Sequence, residues 1–127
     1  MTPELYALAR RAVACKGWKW LPGMLAVTSN GVVGFRVADS AVVPPTCLVG
    51  LPDFTDPATL GCLLALVRDA WGDPHASVWY DSPIWHYGAR WAWHALDQSR
   101  VDYDTEAHAL VDALHYASVH RTVRVGE

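Results

Sequence analysis

The side chains best suited to ligand binding in this chain are aromatic and lie close together in the sequence. Five of the seven Trp fall between Trp71 and Trp93. An indole ring stacks on a nucleobase with about 1–3 kcal/mol per base. The candidates for holding phosphate through charge-assisted hydrogen bonds are Arg36, Arg90, Arg100 and His94,. This combination predicts a site for a small anionic ligand such as a cyclic nucleotide. The predicted ligand-binding residues are Trp18, Trp20, Arg36, Trp85, Tyr87, Arg90, Trp93 and His94.

A competing interpretation assigns most of these Trp residues to the core or to an interface between copies of the chain. Residues 90–96 alternate between two faces of a predicted strand, because successive side chains of a strand point to opposite sides. Arg90 and His94 share one face, and Trp91 and Trp93 share the other. The Trp face is expected to pack under a helix, and exposed aromatic residues are expected to support a homo-oligomer.

Two short histidine motifs offer a different chemistry. Residues 75–78 and 120–123 both consist of His, any residue, Ser or Thr, and an apolar residue. Two-histidine phosphoesterases carry such motifs on adjacent strands, where one His accepts a proton from the nucleophile and the other protonates the leaving group. The alternative prediction is therefore an enzyme that cleaves a cyclic nucleotide. The competing interpretation makes His75 a loop residue and His120 a solvated residue of the tail.

No other pattern predicts catalysis, a metal or a cofactor. The sequence has no glycine-rich phosphate loop, nucleophile elbow or dinucleotide fingerprint. Cys15, Cys47 and Cys62 are odd in number and do not form Cys-x-x-Cys pairs, which favours reduced thiols over a zinc site. We therefore expect no catalytic residue, no metal ligand and no cofactor.

Composition and charge restrict the class of protein. A chain of 127 residues is predicted to form one domain, residues 1–127,. Hydrophobic residues make up 52% and charged residues 18%, which excludes disorder. The net charge of −3 and the scattered Lys and Arg argue against binding of polymeric DNA or RNA,. The longest apolar run, residues 60–67, is too short to span a membrane, and no signal peptide is expected.

The most clearly delimited element is a helix within residues 51–74, LPDFTDPATLGCLLALVRDAWGDP. Asp56 is predicted to cap its first turn and Pro57 to begin it, while Gly72 and Pro74 end it. The helix is apolar on nearly every side, so we expect it to be buried on more than one side and to anchor the fold. Its predicted apolar stripe consists of Leu60, Leu63, Leu64, Val67 and Trp71.

The remaining elements are predicted from helix caps, turn residues and alternation. Helices are expected from Thr2 to about Cys15 and from Asp104 or Thr105 to about Ser118. A hairpin is expected around Asn30-Gly31. Further strands are expected at 77–80, 84–87 and 90–96, residues 97–104 as a polar loop, and residues 120–127 as a tail or one more strand. This order predicts an α+β fold, an antiparallel sheet of four to six strands with helices packed on its faces, as a layered helix–sheet–helix sandwich.

Three stretches together resemble small phage and prophage proteins of the phage ABA-sandwich type. They are CKGWKWLPGM at residues 15–24, the helix segment at 51–74, and TEAHALVDAL at 105–114. The resemblance covers about half of the chain and implies a helix–sheet–helix fold and a phage-encoded protein that acts in the host bacterial cytoplasm. Small phage proteins of this kind include inhibitors of host defence, some of which sequester nucleotide second messengers.

The sequence thus leaves three functions open. The first is a non-enzymatic phage protein that sequesters a nucleotide immune signal as an anti-defence protein. The second is a protein–protein inhibitor or structural accessory of a phage, whose aromatic residues dock on a partner. The third is the two-histidine phosphoesterase.

Overall fold

The predicted α+β class is confirmed by the computed structural model, in which helices pack against antiparallel sheet. The structure describes residues 2–27, 34–37, 50–81 and 90–125. The elements are α1 (Pro3–Ala14), β1 (Leu25–Val27), β2 (Gly34–Arg36), β3 (Leu51–Pro52), α2 (Pro57–Trp71), β4 (Ser77–Asp81), β5 (Arg90–Ala95), β6 (Gln98–Tyr103) and α3 (Glu106–Val125).

The strands of the described residues form two sheets of three rather than one sheet of four to six. The first sheet has the order β2-β1-β3 and the second the order β4-β5-β6, and every pairing is antiparallel. The helix α2 separates the two sets in the chain, so each set pairs locally. The expected Asn30-Gly31 turn and the expected strand at 84–87 lie outside the described residues.

Both ends of α2 are as predicted. The Asp56 carboxylate accepts a hydrogen bond from the Thr59 N–H at 3.0 Å, which satisfies one of the free N–H groups of the first turn. Pro57 is the first helical residue. Gly72 ends the helix with a φ of 63°, a left-handed conformation that glycine adopts without a steric cost.

The expectation that α2 is buried on more than one side is wrong. Its buried residues are Thr59, Leu63, Leu66, Val67, Ala70 and Trp71. The opposite side exposes small residues such as Ala58, Gly61 and Ala65. Small apolar side chains make a helix look apolar all round, yet they add little buried area, so one side of α2 can face solvent.

Over residues 106–119, the part of α3 whose burial is described, this helix is buried nearly all round. It contacts α1, α2 and all three strands of the second sheet. The residues it buries are Ala107, Ala109, Leu110, Val111, Ala113, Leu114 and Ala117. The alanines let neighbouring elements approach closely. A Cβ added at Gly17 would lie 3.0 Å from Leu114 Cδ1 and 3.2 Å from Ala70 Cβ, so the chain after α1 passes tightly against both long helices.

Residues 97–104 were expected to form a loop, and here the structure corrects the sequence prediction. They contain β6, an edge strand among the residues that the structure describes, whose first five residues are exposed and whose last, Tyr103, is buried. The strand has no apolar alternation, so nothing in its composition marks it. It follows a tight turn in which Leu96 has a φ of 55°. Asp102, with a φ of 119°, is the extra residue where the pairing with β5 shifts, a β-bulge,.

The last helix is also longer than predicted. Thr105 caps it, because its hydroxyl accepts a hydrogen bond from the His108 N–H at 3.1 Å. The helix continues to Val125, so the expected tail or strand after Ser118 is helical up to that residue. No Gly or Pro between residues 106 and 125 stops it,. Within the described residues, no helix is both long enough and apolar enough to cross a membrane.

Thr59 gives a test of how α2 is joined to the first sheet. Its fully buried hydroxyl accepts a hydrogen bond from the Leu25 N–H at 2.8 Å and donates one to Asp56 at 2.8 Å. We expect Thr59→Val to lower the free energy of unfolding by about 1–3 kcal/mol, because the Leu25 N–H loses its acceptor. Urea unfolding measures the change. The control is Thr55→Val at an exposed site, with an expected change within about 0.5 kcal/mol; equal losses would contradict the prediction.

Candidate functional site

A concave site opens between the end of α2, strands β5 and β6, and the later turns of α3. We call it the aromatic cleft. Its volume is about 360 Å³, and its lining residues are Trp71, Trp93, Gln98, Ser99, Arg100, Tyr116 and Val119. Small-molecule sites in proteins usually have volumes of about 300–1,000 Å³. The aromatic cleft therefore has room for one small organic molecule.

The floor of the aromatic cleft is a rigid set of rings. The centroids of Trp71 and Trp93 are 5.5 Å apart, and those of Trp93 and Tyr116 are 6.1 Å apart with an angle of 32° between the rings. Trp71 Nε1 donates to the Ala113 carbonyl at 2.8 Å, and Trp93 Nε1 donates to the Tyr103 hydroxyl at 3.0 Å. Both indoles are buried, so their positions are fixed before any ligand enters.

Arg100 supplies the positive charge of the site. Its Cζ lies 4.6 Å from the centroid of the Tyr116 ring, a cation–π distance. Three other arginines are paired with carboxylates: Arg11 with Asp112, Arg36 with Asp56, and Arg90 with Asp102 and Asp104. Arg68 donates to the Ala76 carbonyl at 2.9 Å, and Arg10 is an exposed residue of α1 away from the cleft. Arg100 has no carboxylate within ion-pair distance among the described residues. Its charge is thus available to an anionic ligand.

Asp73 holds the two sides of the aromatic cleft together. One of its carboxylate oxygens accepts from the Leu96 N–H and the other from the His75 N–H, each at 2.9 Å. The hydrogen bond from Leu96, followed by that from His75, lowers the pKa of Asp73. Since Asp73 lies two residues after Trp71 and Leu96 lies two residues before Gln98, this carboxylate fixes the start of β6 relative to the end of α2.

Of the residues predicted from the sequence to bind a ligand, Trp93 lines the aromatic cleft. Trp18 and Trp20 pack against each other edge to face, with ring centroids 5.3 Å apart, and both contact the core. They are not among the lining residues. The indole Nε1 of Trp18 is buried without a hydrogen-bond partner. Trp85 and Tyr87 lie outside the described residues.

Arg36 is engaged in the framework of the fold. Its two terminal nitrogens donate to the two oxygens of Asp56 at 2.9 and 3.2 Å, and Nη1 also donates to the Gly23 carbonyl at 2.7 Å. Asp56 is the residue that caps α2. These bonds, more than those from Thr59, lower the pKa of Asp56 to about 2. Arg36 thus ties β2 to the start of α2.

The predicted alternation along β5 holds, and it separates Arg90 and His94 from the aromatic cleft. Cross-strand pairing places Trp93 beside Arg100, and these two residues share one face of the sheet,. Arg90 and His94 project from the other face, and Arg90 pairs with Asp102 and Asp104 at 3.3 Å each. They are not among the lining residues of the cleft.

The two histidine motifs do not lie on adjacent strands. His75 is an exposed residue before β4, whereas His120 belongs to α3. Their backbone placement therefore differs from the one that the phosphoesterase alternative needs. Among the residues that the structure describes, no three His, Cys, Asp or Glu side chains are grouped closely enough to hold a metal ion.

The sequence indicates Trp93 and Arg100 as candidates for ligand contact, and it does not indicate the other lining residues. Gln98, Ser99 and Arg100 were assigned to a loop, and Trp71 was placed in the predicted core stripe of α2. One signal would have placed Arg100 beside Trp93. A two-residue turn at Leu96-Asp97 places Arg100 directly opposite Trp93 in the hairpin, which is the observed register. This turn is hard to recognise in the sequence, because two-residue hairpin turns usually carry Asn, Asp or Gly where this chain has Leu96.

No family model, curated protein or solved structure matches this chain. Function is therefore inferred from the geometry of the aromatic cleft.

The ion pair of Arg36 and Asp56 predicts how stability depends on pH. The pKa of Asp56 falls from 3.8 to about 2 on folding, so its stabilising contribution is complete above about pH 4 and is lost as the pH falls through about 2. Asp56→Asn keeps a capping side chain but removes the charge. We expect the free energy of unfolding of this variant to fall less than that of the wild type between about pH 5 and pH 2, as measured by urea unfolding.

Arg36→Gln is the matched control for this prediction. It removes the partner and leaves the carboxylate, so the pH dependence should weaken in the same range. A variant with the full wild-type pH dependence would show that Arg36 is not the cause.

Proposed function

We propose that this chain is a non-enzymatic binding protein that holds a small planar anion, of the nucleotide class, in the aromatic cleft. The observation that carries the proposal is Arg100. Its guanidinium lies over Tyr116 at the aromatic cleft and has no carboxylate partner among the described residues. A cation left unpaired beside aromatic rings matches a ligand that combines a flat ring system with a negative charge.

The lining side chains favour binding over catalysis. Gln98 and Ser99 offer an amide and a hydroxyl for the polar edge of a ligand, in line with the few polar groups of a typical small-molecule site. The described lining set contains no His, Asp, Glu, Cys or Lys. General acid–base chemistry is most often carried out by His or by a carboxylate within hydrogen-bond reach of the reacting atom. We therefore propose that the ligand leaves the protein unchanged.

The biological setting follows from the resemblance to phage ABA-sandwich proteins. We propose a phage-encoded protein that acts in the cytoplasm of the bacterial host and sequesters a nucleotide used as an immune signal. The support for this setting is the resemblance of residues 15–24, 51–74 and 105–114. The support for nucleotide binding is the aromatic cleft, which was found independently of the resemblance.

Val119 and Val101 provide a matched test of the site. Each is 48% exposed, and only Val119 lines the aromatic cleft. Val119→Glu places a negative charge beside the cleft and should abolish the thermal shift that an anionic ligand produces. Val101→Glu adds the same charge elsewhere and should keep the shift. The measurement is thermal unfolding with a panel of nucleotides, in which a ligand at 100 times its dissociation constant adds about 2.7 kcal/mol.

Each compound is recovered after the melt. If Val119→Glu showed the same ligand-induced thermal shift as the wild type, the ligand would bind outside the aromatic cleft. Recovery of a cleaved product would show that the protein is an enzyme and would contradict the proposal of non-enzymatic binding.

A second candidate function is docking on another protein surface, and the outer face of the second sheet favours it. Trp79, Ala92 and Val101 lie side by side across β4, β5 and β6, on the face opposite Trp93. Trp79 is 39% exposed and Val101 48% exposed, whereas Ala92 between them is fully buried. We call these three residues the outer apolar row. Exposed apolar surface of this kind is typical of interfaces, and a second copy of the chain is the partner proposed first.

The variants that test the aromatic cleft also test this second candidate. In a symmetric dimer, Val101→Glu brings two carboxylates to one interface. We expect the wild type and Val119→Glu to self-associate and Val101→Glu to be monomeric, measured by light scattering after size-exclusion chromatography. A monomeric wild type would exclude a second copy as the partner.

A further inference from the structure

We infer that the aromatic cleft accepts one nucleotide unit, a nucleoside monophosphate with a single base and a single phosphate group, and that it prefers this ligand to a cyclic di- or trinucleotide. The inference rests on the proposed function and narrows the ligand class. Its basis is the size of the cleft, the number of its charges and the arrangement of its polar positions.

Size is the first constraint. The volume of about 360 Å³ lies near the lower end of the range for small-molecule sites,. Such sites cover most of the surface of their ligand. A cyclic dinucleotide contains two bases, two sugars and two phosphates, so most of it would remain outside the aromatic cleft and uncovered by the protein.

Charge is the second constraint. Arg100 is the single cationic side chain among the described lining residues. Its Cζ lies 4.6 Å from the centroid of the Tyr116 ring, and this cation–π contact does not use up the N–H donors of the guanidinium. No hydrogen bond joins it to another described residue. One arginine matches one phosphate group through a pair of charge-assisted hydrogen bonds.

The third constraint is the difference between the two polar positions, Arg100 and Gln98, on strand β6. At the other polar position, Gln98 Nε2 donates to the Asp97 carboxylate at 3.3 Å. The negative charge of Asp97 disfavours a second phosphate there. The Gln98 side chain retains an acceptor and a further donor, and a glutamine amide pairs well with the polar edge of a base. The phosphate is thus expected at Arg100 and the base at Gln98, over the Trp93 side of the floor.

The test compares ligands of increasing size by isothermal titration calorimetry on the purified chain. The ligands are the four nucleoside 5′-monophosphates, the matching nucleosides, inorganic phosphate, and cyclic dinucleotides of adenine and guanine. We expect at least one monophosphate to bind at one per chain, and to bind more tightly than its nucleoside, than inorganic phosphate and than either cyclic dinucleotide.

Arg100→Gln separates the phosphate contact from the base contact. Hydrogen bonds to a charged group contribute enough that the dissociation constant of the monophosphate should rise on the order of 10- to 100-fold. The dissociation constant of the nucleoside should be unchanged. Arg10→Gln is the matched control, because Arg10 is an exposed residue of α1 outside the aromatic cleft, and it should bind both compounds as the wild type does.

Four other outcomes of the titrations would contradict the inferred ligand, the proposed function or both. Tighter binding of a cyclic dinucleotide than of every monophosphate would overturn this inference and leave the proposed function standing. If a nucleoside bound as tightly as its monophosphate, the phosphate group would not contribute to recognition. If inorganic phosphate bound as tightly as the monophosphate, the base would not contribute. Binding of none of these compounds would overturn the inference and the proposed function together.

Discussion

The close packing around α3 is the interaction on which the rest of the structure depends. The helix α3 contacts the two other helices on some sides and all three strands of the second sheet on others, so it joins elements that do not otherwise form one core. Alanines make this possible, since four of its buried side chains have a single methyl group. Each neighbour approaches within van der Waals distance, and dense packing of this kind leaves little tolerance for added volume. The rigid floor of the aromatic cleft is one result, because Trp71 is hydrogen bonded to the backbone of α3.

Two aspartates at opposite ends of α2 connect this helix to the two sheets. Asp56 caps the start of α2 and binds Arg36 of the first sheet, whereas Asp73 follows its end and holds the turn before β6. Hydrogen bonds to each carboxylate lower its pKa, which is the sign of an anion stabilised by its surroundings. A single element with an anchored carboxylate at each end thus sets the position of both sheets relative to the helices.

The sequence predicted those parts of the fold that depend on local signals. The α+β class, both ends of α2 and the alternation of β5 follow from caps, turn residues and side-chain periodicity. The predictions failed where tertiary contacts determine whether a segment forms a strand or a helix is buried. Gln98 and Arg100 carry no strand signal because β6 is an exposed edge, and α3 rather than α2 is enclosed because burial depends on neighbours as well as composition. The residue types of Trp93 and Arg100 are informative in the sequence, but only the pairing of β5 with β6 brings the two residues together.

The β-bulge at Asp102 affects how this sheet meets other chains. An edge strand exposes unpaired N–H and C=O groups that invite another strand to add, and natural edges are commonly blocked by a bulge or by charged residues. Here Asp102 interrupts the regular pairing with a φ of 119°, and the exposed side chains of β6 include Arg100 and Asp102. Extension of the sheet into a fibre-like assembly is disfavoured at this edge. The strand that carries the polar wall of the aromatic cleft therefore stays uncovered in a concentrated solution of the protein.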